Sequence, residues 1–341
     1  GFGYDPFYFH MFSLLLHIGC VCLVWKLISS LLRVHGGVSE KQILYVNFIT
    51  TLLFAVHPIN VEAVAWISAL KVLLYAFFYL LGLLCYLRYI RTSKIFYYVL
   101  TIGCFLCSFW GKEQAVTFPL ALLIVDWFTN RNMKNLEVWS EKMSFLIMAF
   151  FFGIITVLSQ GKGPYEMIFP LYQRLLFGCF ALVEYITKSL LPVNLNFFYP
   201  FPIVLGEEPP LHYYLYPVVL LFLMGWIIAY RNNRYLVFGV LLFLVNLLFS
   251  IHLFNMSRHA IVADRYMYLS YVGIAFLIAN GIWWLRKRLS YFKAALVFLF
   301  FYCFFLSVYT FHYTKKRENT TMVKKYTKEV LEKRLNGSNH L

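Results

Sequence analysis

The sequence predicts an all-α polytopic membrane protein with about ten transmembrane helices and one interfacial helix. Three observations lead there. Of the 341 residues, 61% are hydrophobic and 21% aromatic against 13% charged, and the mean hydropathy is +0.70. Apolar runs of roughly 15 to 25 residues recur from end to end, long enough to cross a hydrocarbon layer of ~30 Å as helices. The cations behind the net charge of +15 punctuate the spaces between those runs, so they read as topology signals and not as a nucleic-acid surface. No run alternates in the manner of an outer-membrane barrel strand. All seven cysteines lie inside apolar runs, and Cys104-x-x-Cys107 has no His or Cys beside it; these are packing residues, with no disulfide framework and no zinc site implied.

Taken in order, the first span is expected over 7–32, followed by a loop with Arg33, His35 and Lys41 that we place in the cytoplasm. Further runs cover 43–56, 64–86, 96–110 and 115–128, separated on the cytoplasmic side by the basic stretches 88–94 and 130–142. Some are short enough to suggest tilt compensation or local thinning of the bilayer. Between the second and third runs lies His57-Pro58-Ile59-Asn60-Val61-Glu62. Pro58 disfavours helical geometry at His57, and Asn60 is positioned to cap the helix that follows. The run 143–158 returns to the non-cytoplasmic face. The next, 171–191, contains Arg174, Glu184 and Lys188; a full crossing there would put the basic loops 231–234 and 286–288 outside, so we assign it to the interface. Runs at 213–229, 235–254, 266–285 and 294–312 complete the set, and an amphipathic helix is expected over 320–335. Gly1 stands where an initiating Met and a basic signal-peptide start are absent, so further residues are expected upstream.

This topology gathers polar residues on one non-cytoplasmic face: His57 and Glu62, Lys112 and Glu113, the loop 160–166, and Arg258, His259, Asp264 and Arg265. Several cations around a cavity can hold a phosphate, Arg by its planar fork and Lys as a point charge, while a neighbouring carboxylate serves as base or metal ligand. Each group also has a structural explanation. His57 and Glu62 can cap and anchor a turn, Lys112-Glu113 can be a local ion pair, and Asp264-Arg265 can tie two helices together.

Four motifs follow one another along the chain: His57-Pro58-x-x-Val61-Glu62-Ala63-Val64-Ala65-Trp66; Lys112-x4-Thr117-x-Pro119-x-x-Leu122-Leu123-x-x-Asp126-Trp127; Pro192-x-x-Leu195-x-x-Phe198-Tyr199-Pro200; and Ala263-Asp264-Arg265-Tyr266-x-Tyr268-Leu269. In this order they resemble the membrane portion of bacterial relatives of the transmembrane and tetratricopeptide-repeat O-mannosyltransferases. The resemblance implies a GT-C-like helical bundle over 1–314 and, from 315–341, the start of a soluble helical region leading into tetratricopeptide repeats on the non-cytoplasmic side. It also implies a multi-pass protein of the bacterial cytoplasmic membrane that moves a sugar from a polyprenyl-phosphate donor to a hydroxyl of an acceptor protein. Membrane-complex partners would then be met through the C-terminal region.

On that reading a carboxylate deprotonates the acceptor while cations, or a divalent ion such as Mg or Mn, neutralise the departing phosphate. The candidate catalytic residues are Glu62, Glu113 and Asp264; the candidate substrate-binding residues are His57, Lys112, Arg258 and Arg265; no metal-ligand set is assigned. The chain departs from the family at Leu70 and Val72, where relatives carry a charged pair beside the equivalent of Lys71. Its first acidic loop is expected upstream of Gly1, and no tetratricopeptide motif is present. These departures motivate an alternative, a catalytically inactive scaffold subunit of a larger membrane complex.

Overall fold

Capping chemistry sets where the first helices begin and end. Helix α1, Pro6–His35, starts where the Asp5 carboxylate accepts from the Phe7 N–H at 2.9 Å, with the fixed backbone of Pro6 in the first turn, and it stops at Gly36, whose φ is +77°. Helix α2, Glu40–Val56, is capped by Ser39, which accepts from the Gln42 N–H at 3.2 Å. Pro58 ends α2 as expected and leaves His57 extended. The expected cap at Asn60 is corrected: its Nδ2 donates to the Phe54 carbonyl at 2.7 Å, and His57 Nδ1 accepts the Ile59 N–H at 3.2 Å instead. The short helix α3, Val61–Ala65, follows, and the expected run 64–86 breaks at Trp66 before α4, Leu70–Thr92.

The computed structural model describes residues 5–159, 169–196, 198–204, 206–252 and 260–315. Beyond α4 the helices are α5, Ile95–Gly111; α6, Phe118–Phe128; α7, Leu136–Ser159; α8, Leu171–Leu190; α9, Leu215–Ala229; α10, Arg234–Leu247; α11, Met267–Trp284; and α12, Leu289–Lys315. Nearly every expected run is a helix close to its expected bounds, but the expected count of spans is not met. Among the described residues six stretches, those of α1, α4, α7, α9, α11 and α12, are long and apolar enough to cross a membrane; α2 and α3, bent by 50° at His57, make a seventh if taken as one. The reason is length. At ~1.5 Å per residue, α5, α6 and α10 reach only about 26, 17 and 21 Å.

α8 carries Arg174, Glu184 and Lys188 and is not among the six. Its buried residues, including Phe177, Ala181, Tyr185 and Lys188, lie on one stripe turned toward the bundle. α9 is the opposite case, apolar throughout with no residue buried, as expected of a helix bathed in lipid. Inside, α10 and α11 touch backbone to backbone: a Cβ added at Gly273 would lie 2.5 Å from the Gly239 carbonyl oxygen. The rings of Tyr79, Phe105, Phe118 and Phe145 fill the space between α4, α5, α6 and α7. The described residues build an all-helical bundle, and its apolar helices are those of a multi-pass membrane protein. The expected helix 320–335, the loop 160–166 and both Arg258 and His259 lie outside the described residues.

Candidate functional site

The break at His57 brings α3 across the end of the bundle, and Glu62 on α3 enters it almost fully buried. There Glu62 Oε1 lies 2.7 Å from Arg265 Nη1, and its Oε2 accepts the Arg265 backbone N–H at 2.8 Å. Residues 203 apart in sequence are thereby clamped at two points. The side chain of Arg265 keeps 25% of its surface exposed and lies against the faces of Trp66 and Tyr266, at 5.3 and 5.0 Å. The Tyr266 ring also receives Lys112, whose ammonium is 4.3 Å from the ring centre. Lys112 reaches it from the end of α5, where Gly111 lets the two backbones close: a Cβ there would fall 2.6 Å from the Tyr75 nitrogen.

Asp264, beside Arg265 in sequence, takes different partners. It is completely buried, and the Tyr199 hydroxyl donates to its two oxygens at 3.0 and 3.3 Å, with the Tyr313 hydroxyl at 3.5 Å. Tyr199 Oη in turn accepts from Lys188 Nζ at 3.2 Å and from the Asn196 N–H at 2.7 Å. Burial, and then the Asp264 carboxylate, hold the Tyr199 phenol well above the usual tyrosine range, so it stays protonated and donates. Lys188 lies over the same ring at 4.3 Å and pairs with Glu184 one turn earlier at 3.2 Å. The loop before α11 is tied to the same region twice more, by the bridge between Tyr199 and Val262 and by the Ala263 N–H donating to Tyr185 Oη on α8 at 3.2 Å.

The structure thus brings together Glu62, Lys112, Asp264 and Arg265, with Glu113 half-buried next to Lys112. His57 is at the same end but is packed away, 1% exposed with its ring 4.2 Å from that of Tyr271 on α11. Arg258 lies outside the described residues. Sequence reasoning missed Tyr199 and Tyr313 as partners of Asp264 and treated Lys188 only as an interfacial charge. The available signal was Tyr199 within the Pro192 to Pro200 motif.

A second ionic cluster occupies the other end of α4 and α6. Asp126 and Lys142, both with fully buried side chains, form an ion pair; Glu141 accepts from Lys142 at 2.9 Å and from Arg131 at 2.6 and 2.9 Å. The Tyr86 hydroxyl sits among them, donating to Asp126 at 2.8 Å and accepting from Arg131 at 2.9 Å. Among the described residues no three His, Cys, Asp or Glu side chains converge as a metal-binding group.

The chain is 28% identical over 153 residues to the protein O-mannosyl-transferase Tmtc3 of Drosophila melanogaster, covering 39% of this chain and 16% of that one. It is 32% identical over 143 residues to TMTC2 of Mus musculus and 33% identical over 143 residues to TMTC2 of Homo sapiens, with 40% of this chain and 16% of each relative covered. The matched stretch therefore spans about a sixth of the length of these curated relatives. No family model and no solved structure matches the chain.

Proposed function

We infer, from the premise that this chain is a relative of the TMTC protein O-mannosyl-transferases, that it forms the membrane portion of a glycosyltransferase with a GT-C-like helical arrangement. In this proposal the donor is a polyprenyl-phosphate-linked sugar, the acceptor a protein hydroxyl, and the reaction takes place on the non-cytoplasmic face of a bacterial cytoplasmic membrane, with α8 lying at that interface. The observation that supports it is the meeting of Arg265 and Lys112 with Glu62, Glu113 and Asp264 at one end of the bundle.

The acceptor oxygen attacks the anomeric carbon, the bond from that carbon to the phosphate oxygen breaks, and the polyprenyl phosphate leaves with the electron pair. Arg265 and Lys112 stabilise the charge that develops on the leaving phosphate. Roles divide by exposure. Arg265 is the clamped group with an open flank, so it faces the phosphate; Glu62, which fixes its backbone and one nitrogen, is a positioning residue. Asp264, enclosed by Tyr199 and Tyr313, sets the loop that presents Arg265. Glu113 is the carboxylate with the greatest access and is assigned the acceptor proton. Among the described residues no three His, Cys, Asp or Glu side chains converge, and the oxygens of Glu62 and Asp264 already accept from Arg265 and Tyr199; a divalent cation such as Mg or Mn, if used, would be held by Glu113 and the donor phosphate and would help neutralise the leaving group.

The test is transfer of a labelled sugar from a polyprenyl-phosphate donor to a protein acceptor by the full-length protein in liposomes. Arg265→Ala should lower transfer by about 10² to 10³-fold, the usual cost of one lost charge-stabilising donor. Full activity in folded Arg265→Ala protein would refute the assignment. No transfer by the intact protein would favour the scaffold reading.

A further inference from the structure

A half-open groove of about 250 Å³ lies between α1 and α4, at the end of α4 away from Glu62. Lys26, Ser29 and Ser30 of α1 face Arg88 and Arg91 of α4 across it, and Leu84 forms part of its apolar wall. We propose that this groove binds the phosphate headgroup of an anionic membrane lipid, with the acyl chains leaving along the outer surface of α1.

Lys26 carries the first indication. It is exposed, yet it sits nine residues before the end of a spanning helix, roughly 14 Å in from that end at 1.5 Å per residue. α1 is about 45 Å long against ~30 Å of hydrocarbon, so a cation at this position is within snorkelling reach of the headgroups, where a lipid phosphate can answer it. Among the described residues Lys26, Arg88 and Arg91 form no ion pair, although Arg33, Arg131, Lys142, Lys188 and Arg265 all do. Three uncompensated cations therefore line one cavity, with Arg88 steadied 5.6 Å from the Tyr97 ring. Two serine hydroxyls stand beside them; Ser29 donates to the carbonyls of Trp25 and Lys26, which leaves it as an acceptor for water or for a headgroup hydroxyl while the cations meet the phosphate. Basic pockets between spanning helices at the positively charged end of a bundle are where anionic headgroups are held. The neighbouring stretch Arg88, Arg91 and Lys94 makes this the basic end. Exposed Trp25, next to Lys26, adds an apolar contact for the first methylenes of a lipid chain. The site is independent of the transfer chemistry, which lies at the other end of α4.

The experiment uses the full chain in a neutral detergent, titrated separately with phosphatidylglycerol, phosphatidylcholine and inorganic phosphate while the melting temperature is followed. Stabilisation by phosphatidylglycerol alone is expected. Each cation removed from the groove, as in Lys26→Gln, Arg88→Gln and Arg91→Gln, should weaken that lipid by about fivefold, and Arg286→Gln, outside the groove, should leave it unchanged. Equal response to both lipids, or an unweakened response in the three variants, overturns the proposal; stabilisation by inorganic phosphate alone makes the groove a free-phosphate site and overturns it too. Should a variant fail to fold, native mass spectrometry of the unaltered protein decides, with retained phosphatidylglycerol expected and a phosphatidylcholine-only complement contrary.

Discussion

The two ionic clusters at opposite ends of α4 and α6 contain similar residues arranged to different ends. Around Tyr86, every charge is answered: Arg131 uses both terminal nitrogens on Glu141, and Lys142 sits between Asp126 and Glu141 with no surface exposed. The Glu141 hydrogen bond holds the Arg131 guanidinium above the usual arginine range. Around Arg265, a single terminal nitrogen meets Glu62, and the rest of the group faces aromatic rings and an open flank. The two guanidiniums are about equally exposed, 21% for Arg131 and 25% for Arg265; what differs is pairing, complete in a network that fixes helices and partial in one that an anion can join. Buried ion pairs add little net stability over apolar packing, but removing one partner strands the other, so the two clusters respond differently to the same kind of substitution.

The largest effect expected is at the closed cluster. Lys142→Met leaves the buried Asp126 with the longer Arg131 contact, 3.2 Å, as its remaining cation, and should cost about 3 kcal/mol of unfolding free energy, the lower end for a broken buried pair, read by denaturant or thermal melting. A loss no greater than that of a surface pair would mean the cluster is not closed in the membrane. Next in size, Arg265→Ala should remove transfer by the factor given above, whereas Arg131→Ala should lower the melting temperature and leave the rate per folded molecule unaltered; equal losses of rate would erase the distinction. Tyr199→Phe takes one donor from the buried Asp264 carboxylate and should cost about 1 to 3 kcal/mol of stability, with transfer reduced in step as the Arg265 loop loosens. At the small end, Arg33→Ala breaks an ion pair whose side chains are 56% and 76% exposed, and its stability should change by less than about 1 kcal/mol.

Hydropathy and turn chemistry made the helices legible. The stop at Pro58 and the polarity of 171–191 are both readable from local rules, because backbone satisfaction in lipid leaves few alternatives. The number of crossings was not readable, since an apolar run of 11 residues such as α6 has the composition of a span without its length. At the site, the convergence of Glu62, Lys112 and Arg265 followed from alternating the runs across the bilayer. Their pairing did not follow. Neighbours in sequence suggested Asp264 with Arg265 and Lys112 with Glu113, but Arg265 reaches over to α3 and Lys112 to Tyr266, because side-chain direction depends on tertiary packing. The closed cluster was hidden for a related reason: Asp126 falls inside an apolar run, and its partners come from a loop and helix that had been read only for their charge.

Helix α12 touches the open cluster at two heights, Thr310 donating to the Val56 carbonyl at 2.8 Å and Tyr313 reaching Asp264 at 3.5 Å. The helix therefore pins the break at His57 and the loop that presents Arg265 at once. A slide of one turn, about 5.4 Å, would draw the phenol off the carboxylate and unhook the break at His57 in a single stroke. Any force acting along that rod would be felt first by the segment that presents Arg265.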